Sequence, residues 1–343
     1  MITKCFFAAI IYFSSMVILT RAELATSTID PSYDLRQRAL ADQQRHNAVV
    51  QFMFDTQPLP VKWSSGCSGT LIHSRIIVTA AHCIQDNDGF LIVGKGDQLS
   101  LLNGKPGFYR GVLGDNLSTA RFITIIDYRL HPAWKGKGQN DIAVLKVADE
   151  KTGKPIKEYV RNGVPEPIIF HKLYSGTKEL DQPLPNLAIT VGYGNFGNGS
   201  FGEIPVSSGT KRAGLTVLSG GDTLVLEAEY LSPSIFLFNP YFLPSNFLQA
   251  GTAHGDSGGP LYLSIGTGGT QVIVGVAKGV SPISQAINLS NLWKAFLGKP
   301  FGRKDENVYG VFDKWTRISP YVTWIQTAAQ SMGVTLQNPD PGT

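Results

Sequence analysis

Short runs of β-branched and apolar residues recur along this chain, separated by polar breaks that carry glycine or proline. In the first half they fall at Ala48–Phe54, Leu71–Ala81, Gly89–Val93, Ile123–Ile126 and Ile142–Val147. In the second half they fall at Leu187–Val191, Leu215–Val217, Thr223–Ala228, Gln271–Ala277 and Val308–Arg317. Many short strands between turn formers predict an all-β barrel or sandwich. The stretch from about 150 to 186, rich in proline and lysine, predicts a crossover between the two halves. Near the C-terminus the period changes. Tyr321, Trp324, Ile325, Ala328 and Ala329 share one helical face behind Pro320, which predicts an amphipathic helix packed on the domain.

The N-terminus reads differently. Lys4 precedes a mostly apolar run from Phe6 to Leu19, and small residues follow around Ala22. Residues 1–22 therefore predict a secretory signal peptide. A run of 14 residues is short for a membrane span, which needs roughly 20, although an uncleaved anchor is the alternative. Residues 23–45 are polar and weakly patterned, as a propeptide or N-terminal arm would be. The main domain is expected over 46–332, with a tail at 333–343. With 343 residues, 43% of them hydrophobic, the chain can bury a sizeable core. The net charge of +4 is spread without a lysine- or arginine-rich block, so nucleic-acid binding is not expected. No further segment is long and apolar enough to span a bilayer, and no membrane association is expected once the signal is removed.

Three segments carry candidate chemistry. Gly255-Asp256-Ser257-Gly258-Gly259-Pro260 sets a serine between glycines, as a nucleophilic hydroxyl on a tight turn requires. The N–H groups of Gly255 and Ser257 could face the charge that forms on a carbonyl under attack. A serine is a weak nucleophile without a base and a group to orient that base. Ile76-Ile77-Val78-Thr79-Ala80-Ala81-His82-Cys83 ends an apolar run on a histidine, and Asn140-Asp141-Ile142-Ala143-Val144-Leu145-Lys146-Val147 opens one with an acid. Taken singly, His82 reads as a core histidine, Asp141 as a strand-start residue and Gly258-Gly259-Pro260 as an ordinary turn. The other histidines, His46, His73, His131, His171 and His254, show no paired ligand spacing. No metal or other cofactor is implied.

The order His82, Asp141, Ser257, with these neighbours, resembles the trypsin/chymotrypsin-like serine proteases. The resemblance extends to Gly66-Cys67-Ser68-Gly69-Thr70-Leu71-Ile72, to Thr190-Val191-Gly192-Tyr193-Gly194 and to Val308–Phe312 with Tyr321–Ile325. It implies two packed six-stranded antiparallel β-barrels with a short C-terminal helix. It also implies a catalytic triad in which Ser257 attacks, His82 moves the proton and Asp141 orients His82, with Gly255 and Ser257 forming the oxyanion hole. Asp256 stands where the family has the partner of a newly cut N-terminal amine, which makes the chain a zymogen. In the family the cysteines at 67 and 83 pair. Such a disulfide closes a loop of about 15 residues, worth roughly 3 kcal/mol in the chain-entropy model.

Several positions depart from the family pattern. The usual new N-terminus is missing; cleavage after Arg38 would leave Ala39, and cleavage after Arg45 would leave His46. The residue six before the nucleophile forms the pocket floor in the family, and an Asp there selects Arg or Lys. Here it is Gly251, followed by Thr252, with Gly310 lining the pocket, so an uncharged pocket is expected that accepts an apolar or medium-sized residue rather than a basic one. Ala277 or Lys278 replaces the serine that bonds the triad acid. The segments 195–213 and 281–307 exceed what a minimal member needs, and read as surface loops or a rim around the cleft.

The function expected is that of a secreted serine endopeptidase, extracellular or periplasmic, acting as a monomer on protein or peptide substrates. The alternatives are a catalytically silent protease-fold binding protein, and an esterase of another fold. The esterase pattern requires the acid and histidine after the serine, and here both precede it.

Overall fold

The computed structural model describes residues 31–56, 64–85, 100–102, 105–113, 120–136, 138–161, 163–181, 186–198, 202–204, 209–230, 248–265, 270–281 and 311–342. The signal segment, the strand expected at 89–93, Gly310 and most of the 281–307 segment lie outside them.

The strand-like runs form two closed antiparallel barrels. The first is built from β1 (Val49–Thr56), β2 (Ser64–His73), β3 (Ile76–Thr79), β5 (Lys105–Leu113), β6 (Arg121–Leu130) and β7 (Ala143–Asp149). Its order is β1-β2-β3-β7-β6-β5, and β1 pairs with β5 to close the ring; the short β4 (Ser100–Leu102) adds to the edge of β5. After β7 comes a hairpin of β8 (Glu158–Arg161) and β9 (Val164–Pro167) within the crossover. The second barrel has the order β10-β13-β14-β17-β16-β15. These strands are β10 (Leu187–Gly192), β13 (Arg212–Gly221), β14 (Val225–Glu229), β15 (Pro260–Ile265), β16 (Thr270–Ser281) and β17 (Phe312–Arg317). A small hairpin, β11 (Gly197–Asn198) with β12 (Gly202–Glu203), occupies part of the 195–213 segment. Closure removes free sheet edges, which an all-β chain must otherwise protect.

β3 and β7 read as continuous apolar runs rather than alternating ones because they are covered on both faces, and every residue of β3 is buried. One apolar cluster fills the first barrel and crosses the seam to Val191, Tyr262 and Val276. A second fills the other barrel around Trp315, Leu226 and Leu261. The C-terminal helix α2 (Val322–Ser331) buries Val322, Ile325, Ala328 and Ala329, close to the face the periodicity predicts.

Two features lie beyond the sequence pattern. The N-terminal arm contains a helix, α1 (Pro31–Ala41), packed on β13. Its inner face is Asp34, Gln37 and Ala41, and Leu35 points outward, so no apolar stripe marks it. Polar contacts hold it: Arg212 Nε donates to Asp34 Oδ1 at 2.6 Å, and Gln37 Nε2 donates to Gln249 O at 3.5 Å. The tail after α2 is docked on the crossover, where Ser175 N–H donates to Asp340 O and Asp340 N–H to Leu173 O, both at 2.8 Å.

The Arg212–Asp34 pair is half-sheltered, so its loss is worth roughly 1 kcal/mol and loosens α1 without unfolding the barrels. Asp34→Ala is therefore expected to speed limited proteolysis at Arg36 and Arg38 about fivefold, with little change in the global unfolding midpoint.

Candidate active site at the seam of the barrels

His82 lies on the single turn of 3-10 helix Ala81–Cys83 that follows β3. Asp141 is delivered by a sharp turn just before β7. Asn140 adopts φ of 61°, a left-handed conformation that asparagine tolerates better than most residues, and Tyr321 Oη donates to its Oδ1 at 3.0 Å. The turn leaves Asp141 only 2% exposed, with its carboxylate against His82. Asp141 Oδ1 accepts the His82 backbone N–H at 2.9 Å, and Oδ2 lies 2.7 Å from His82 Nδ1. Both oxygens thus hold one residue, and the imidazole keeps its other nitrogen for the cleft. Thr316 Oγ1 donates to the Asp141 carbonyl at 3.0 Å, tying this turn to β17 of the second barrel.

The serine turn is latched onto the same region from the other side. Ser68 on β2 donates its backbone N–H to Ser257 O at 2.7 Å and its hydroxyl to Gly255 O at 2.9 Å. Gly258 N–H donates to Ala277 O at 2.7 Å, and Ala277 N–H to Gly259 O at 2.8 Å. Gly258 has φ of 82°, and a side chain there would overlap Thr79 Oγ1 and Ser68 O. Glycine is needed at 258 on both counts. Cys67 and Cys83 form a disulfide with a Cα–Cα distance of 6.0 Å, and Cys83 Sγ lies 3.4 Å from Ser257 O. The three sequence-predicted segments therefore converge: the histidine and acid in contact, and the serine turn against the residue that follows the histidine.

Of the two candidates on β16, Lys278 is close enough to Asp141 for their charges to interact. Burial pulls its ammonium below the ordinary value, and the Asp141 carboxylate partly offsets this. His254, two residues before Asp256, is engaged elsewhere: its ring and its backbone N–H both meet the Glu203 carboxylate on β12. The 195–213 segment therefore does reach the rim of the site.

Behind the serine turn lies a cavity lined by Gln37, Gly194, Gly251, Thr252, Asp256 and Asp313, among others. Asp256 is half-buried, with Oδ1 accepting Gly194 N–H at 2.7 Å and Oδ2 accepting Ala253 N–H at 2.9 Å. Burial nevertheless raises its pKa to about 6. Asp313 was not singled out by the sequence reading. It is 1% exposed, and its Oδ1 accepts both the N–H and the hydroxyl of Thr252, at 2.7 and 2.8 Å. Burial, reinforced by the nearby Asp256 charge, raises its pKa to about 7 against the pull of those two donors. An acid therefore lines the cavity beside Gly251, where the sequence predicts no charge. Gly251 brings no charge, but a side chain there would begin 2.9 Å from Asp313 Oδ2. The available signal was alternation: Val311, Asp313 and Trp315 are buried at every second position, so an acid stands in an inward register of β17.

Residues 41–163 match the model of the family named Trypsin, a stretch that holds His82 and Asp141 but not Ser257. The chain is 26% identical to "Serine protease Hayan" of Drosophila melanogaster over 61% of its length. That alignment covers 30% of the Drosophila protein, so the chain spans under a third of that relative. It is 26% identical to "Chymotrypsin-like elastase family member 1" of Canis lupus familiaris, over 79% of this chain and 83% of that protein. It is 25% identical to "Serine protease SP24D" of Anopheles gambiae, over 76% and 71%.

An acid whose pKa is raised on folding binds protons more tightly in the native state. It favours folding most below its unfolded value of 3.8, and that contribution is lost as pH rises through about 7. Asparagine at 313 keeps an acceptor for Thr252 and has no charge to bury. Urea unfolding should therefore show Asp313→Asn gaining stability relative to wild type steadily from pH 4 to pH 8. A difference independent of pH would contradict the raised value.

Proposed function

Since the chain belongs to the trypsin-like serine protease family, we propose that it is an exported serine endopeptidase that cleaves peptide bonds through His82, Asp141 and Ser257. The observation that carries this reading is the two-oxygen grip of Asp141 on His82, at 2.9 and 2.7 Å, beside the latched turn of Ser257. With Nδ1–H held by Asp141, His82 Nε2 is free to take the proton from Ser257 Oγ. The hydroxyl oxygen then bonds to the scissile carbonyl carbon. The oxyanion is stabilised by the N–H groups of Gly255 and Ser257. The proton passes from His82 to the leaving amine, and the C–N bond breaks to leave an acyl-enzyme on Ser257. Water, deprotonated by the same nitrogen, releases the acid product.

The N-terminal pattern and the Cys67–Cys83 disulfide support export. Among the described residues no helix is long and apolar enough to cross a membrane. Asp256 is in this reading the partner of a new N-terminal amine. Arg38 and Ala39 are exposed on α1, whereas His46 is fully buried with its Nδ1 2.8 Å from Leu40 O. Of the two cleavage points open in the sequence, this favours the bond after Arg38.

Reaction of the secreted chain with a fluorophosphonate, read by intact mass, is expected to give one adduct that is absent from Ser257→Ala. Turnover of a denatured protein should fall about 10⁶-fold in Ser257→Ala and about 10⁴-fold in Asp141→Asn. A correctly folded wild-type chain, cut after Arg38, that takes no adduct and degrades no protein would instead be a silent binding protein of protease fold.

A further inference from the structure

We propose that Asp313 determines specificity by supplying, from β17, the negative charge that Gly251 lacks, so that the site prefers a lysine or arginine side chain before the cut bond. This rests on the protease reading above and deepens it.

The two carboxylate oxygens of Asp313 have different surroundings. Oδ1 takes both donors of Thr252. Oδ2 is buried and has no hydrogen-bond partner among the described residues. Leaving a charged acceptor unpaired in a protein interior is costly, so a site that keeps one is built for a partner that arrives later. The Oδ2 atom lies on the Gly251 side, where a side chain would begin 2.9 Å from it. An acid at 251 and this acid at 313 would therefore occupy the same space, reached from opposite walls.

The surroundings select a cation as the missing partner. Asp256 lines the same cavity and adds negative charge, while both its oxygens already accept backbone N–H groups. Arg212 also lines the cavity, but its guanidinium is held by Asp34 and lies over the Phe196 ring. Glu203, at the same rim, is engaged with His254. Among the described residues, no cationic group is therefore directed at Asp313. The connection to the reaction is covalent: Thr252, which clamps Asp313, is five residues before Ser257 on one continuous segment. A charged ligand group that fits this pocket gains a charge-assisted hydrogen bond, the stronger kind. A neutral ligand leaves Oδ2 unpaired, and sites with unpaired buried polar groups discriminate strongly.

The test uses benzamidine, a planar cation, and benzamide, its neutral analogue, titrated calorimetrically against the secreted chain and against Asp313→Asn. Wild type is expected to bind benzamidine at least about 100-fold more tightly than benzamide, and the variant is expected to lose most of that ratio. A second variant, Gly251→Asp combined with Asp313→Gly, moves the carboxylate to the opposite wall and should restore part of it. The ratio of kcat/KM for peptide substrates with Lys or Arg against Leu before the cut should change in step. Because ratios are read, a loss common to both ligands does not count as support. Wild type with no preference for benzamidine, or a ratio unchanged in Asp313→Asn, overturns the proposal. A benzamidine preference that depends on Asp313, in a chain that takes no fluorophosphonate, supports this pocket while refuting the nucleophile.

Discussion

Ser68 has no exposed surface and stands where the two barrels meet, and the candidate site depends on how its polar atoms are satisfied. Its N–H donates to Ser257 O and its hydroxyl to Gly255 O, while its carbonyl accepts Thr79 Oγ1 and its Oγ accepts Tyr193 N–H. A buried polar group left without a partner costs about 1–3 kcal/mol. Four such bonds at one residue therefore leave little freedom to displace the serine turn from β2 and β3. The same strands position Cys67, Cys83 and His82. The placement of Ser257 relative to His82 rests on hydrogen bonding through Ser68 across the seam rather than on the His82 and Ser257 side chains.

That division explains what could be read from the sequence. The strands of both barrels were legible because β-branched, apolar runs between turn residues have few other uses. His82, Asp141 and Ser257 were legible because motif and order constrain one another. Ser68 was not, because a serine in a strand looks the same whether it faces solvent or anchors a turn 187 residues away. Helix α1 is unmarked in the sequence for a related reason: its inward face is Asp34, Gln37 and Ala41, and hydropathy gives no sign that the first two find partners on Arg212 and Gln249. The docked tail is likewise held by backbone bonds to the crossover, which any sequence could make.

The cavity behind the serine turn carries the opposite lesson. Its two acids, Asp256 and Asp313, are each held by two donors and each still titrate above the ordinary carboxylate range, because burial outweighs those bonds. The Asp256 charge adds to the cost of ionising Asp313. The fold thus brings two acids to one cavity, next to the segment that leads to Ser257, while Arg212 nearby is bonded to Asp34 of α1.

Stability gives no reason for an aspartate at 313. Asparagine would serve Thr252 with the same acceptor and would remove the charge that burial opposes. Leucine would suit a barrel interior better still, since apolar replacement of a buried charge is often neutral or stabilising. Sequences that break a local packing rule at a measurable cost tend to do so where function requires it. On that reasoning the acid in the inward register of β17 and the glycine at 251 form one feature. The glycine clears the volume in which the carboxylate stands, and a side chain at either position would exclude the other. The pocket is charged through a pair of positions, neither of which discloses it alone.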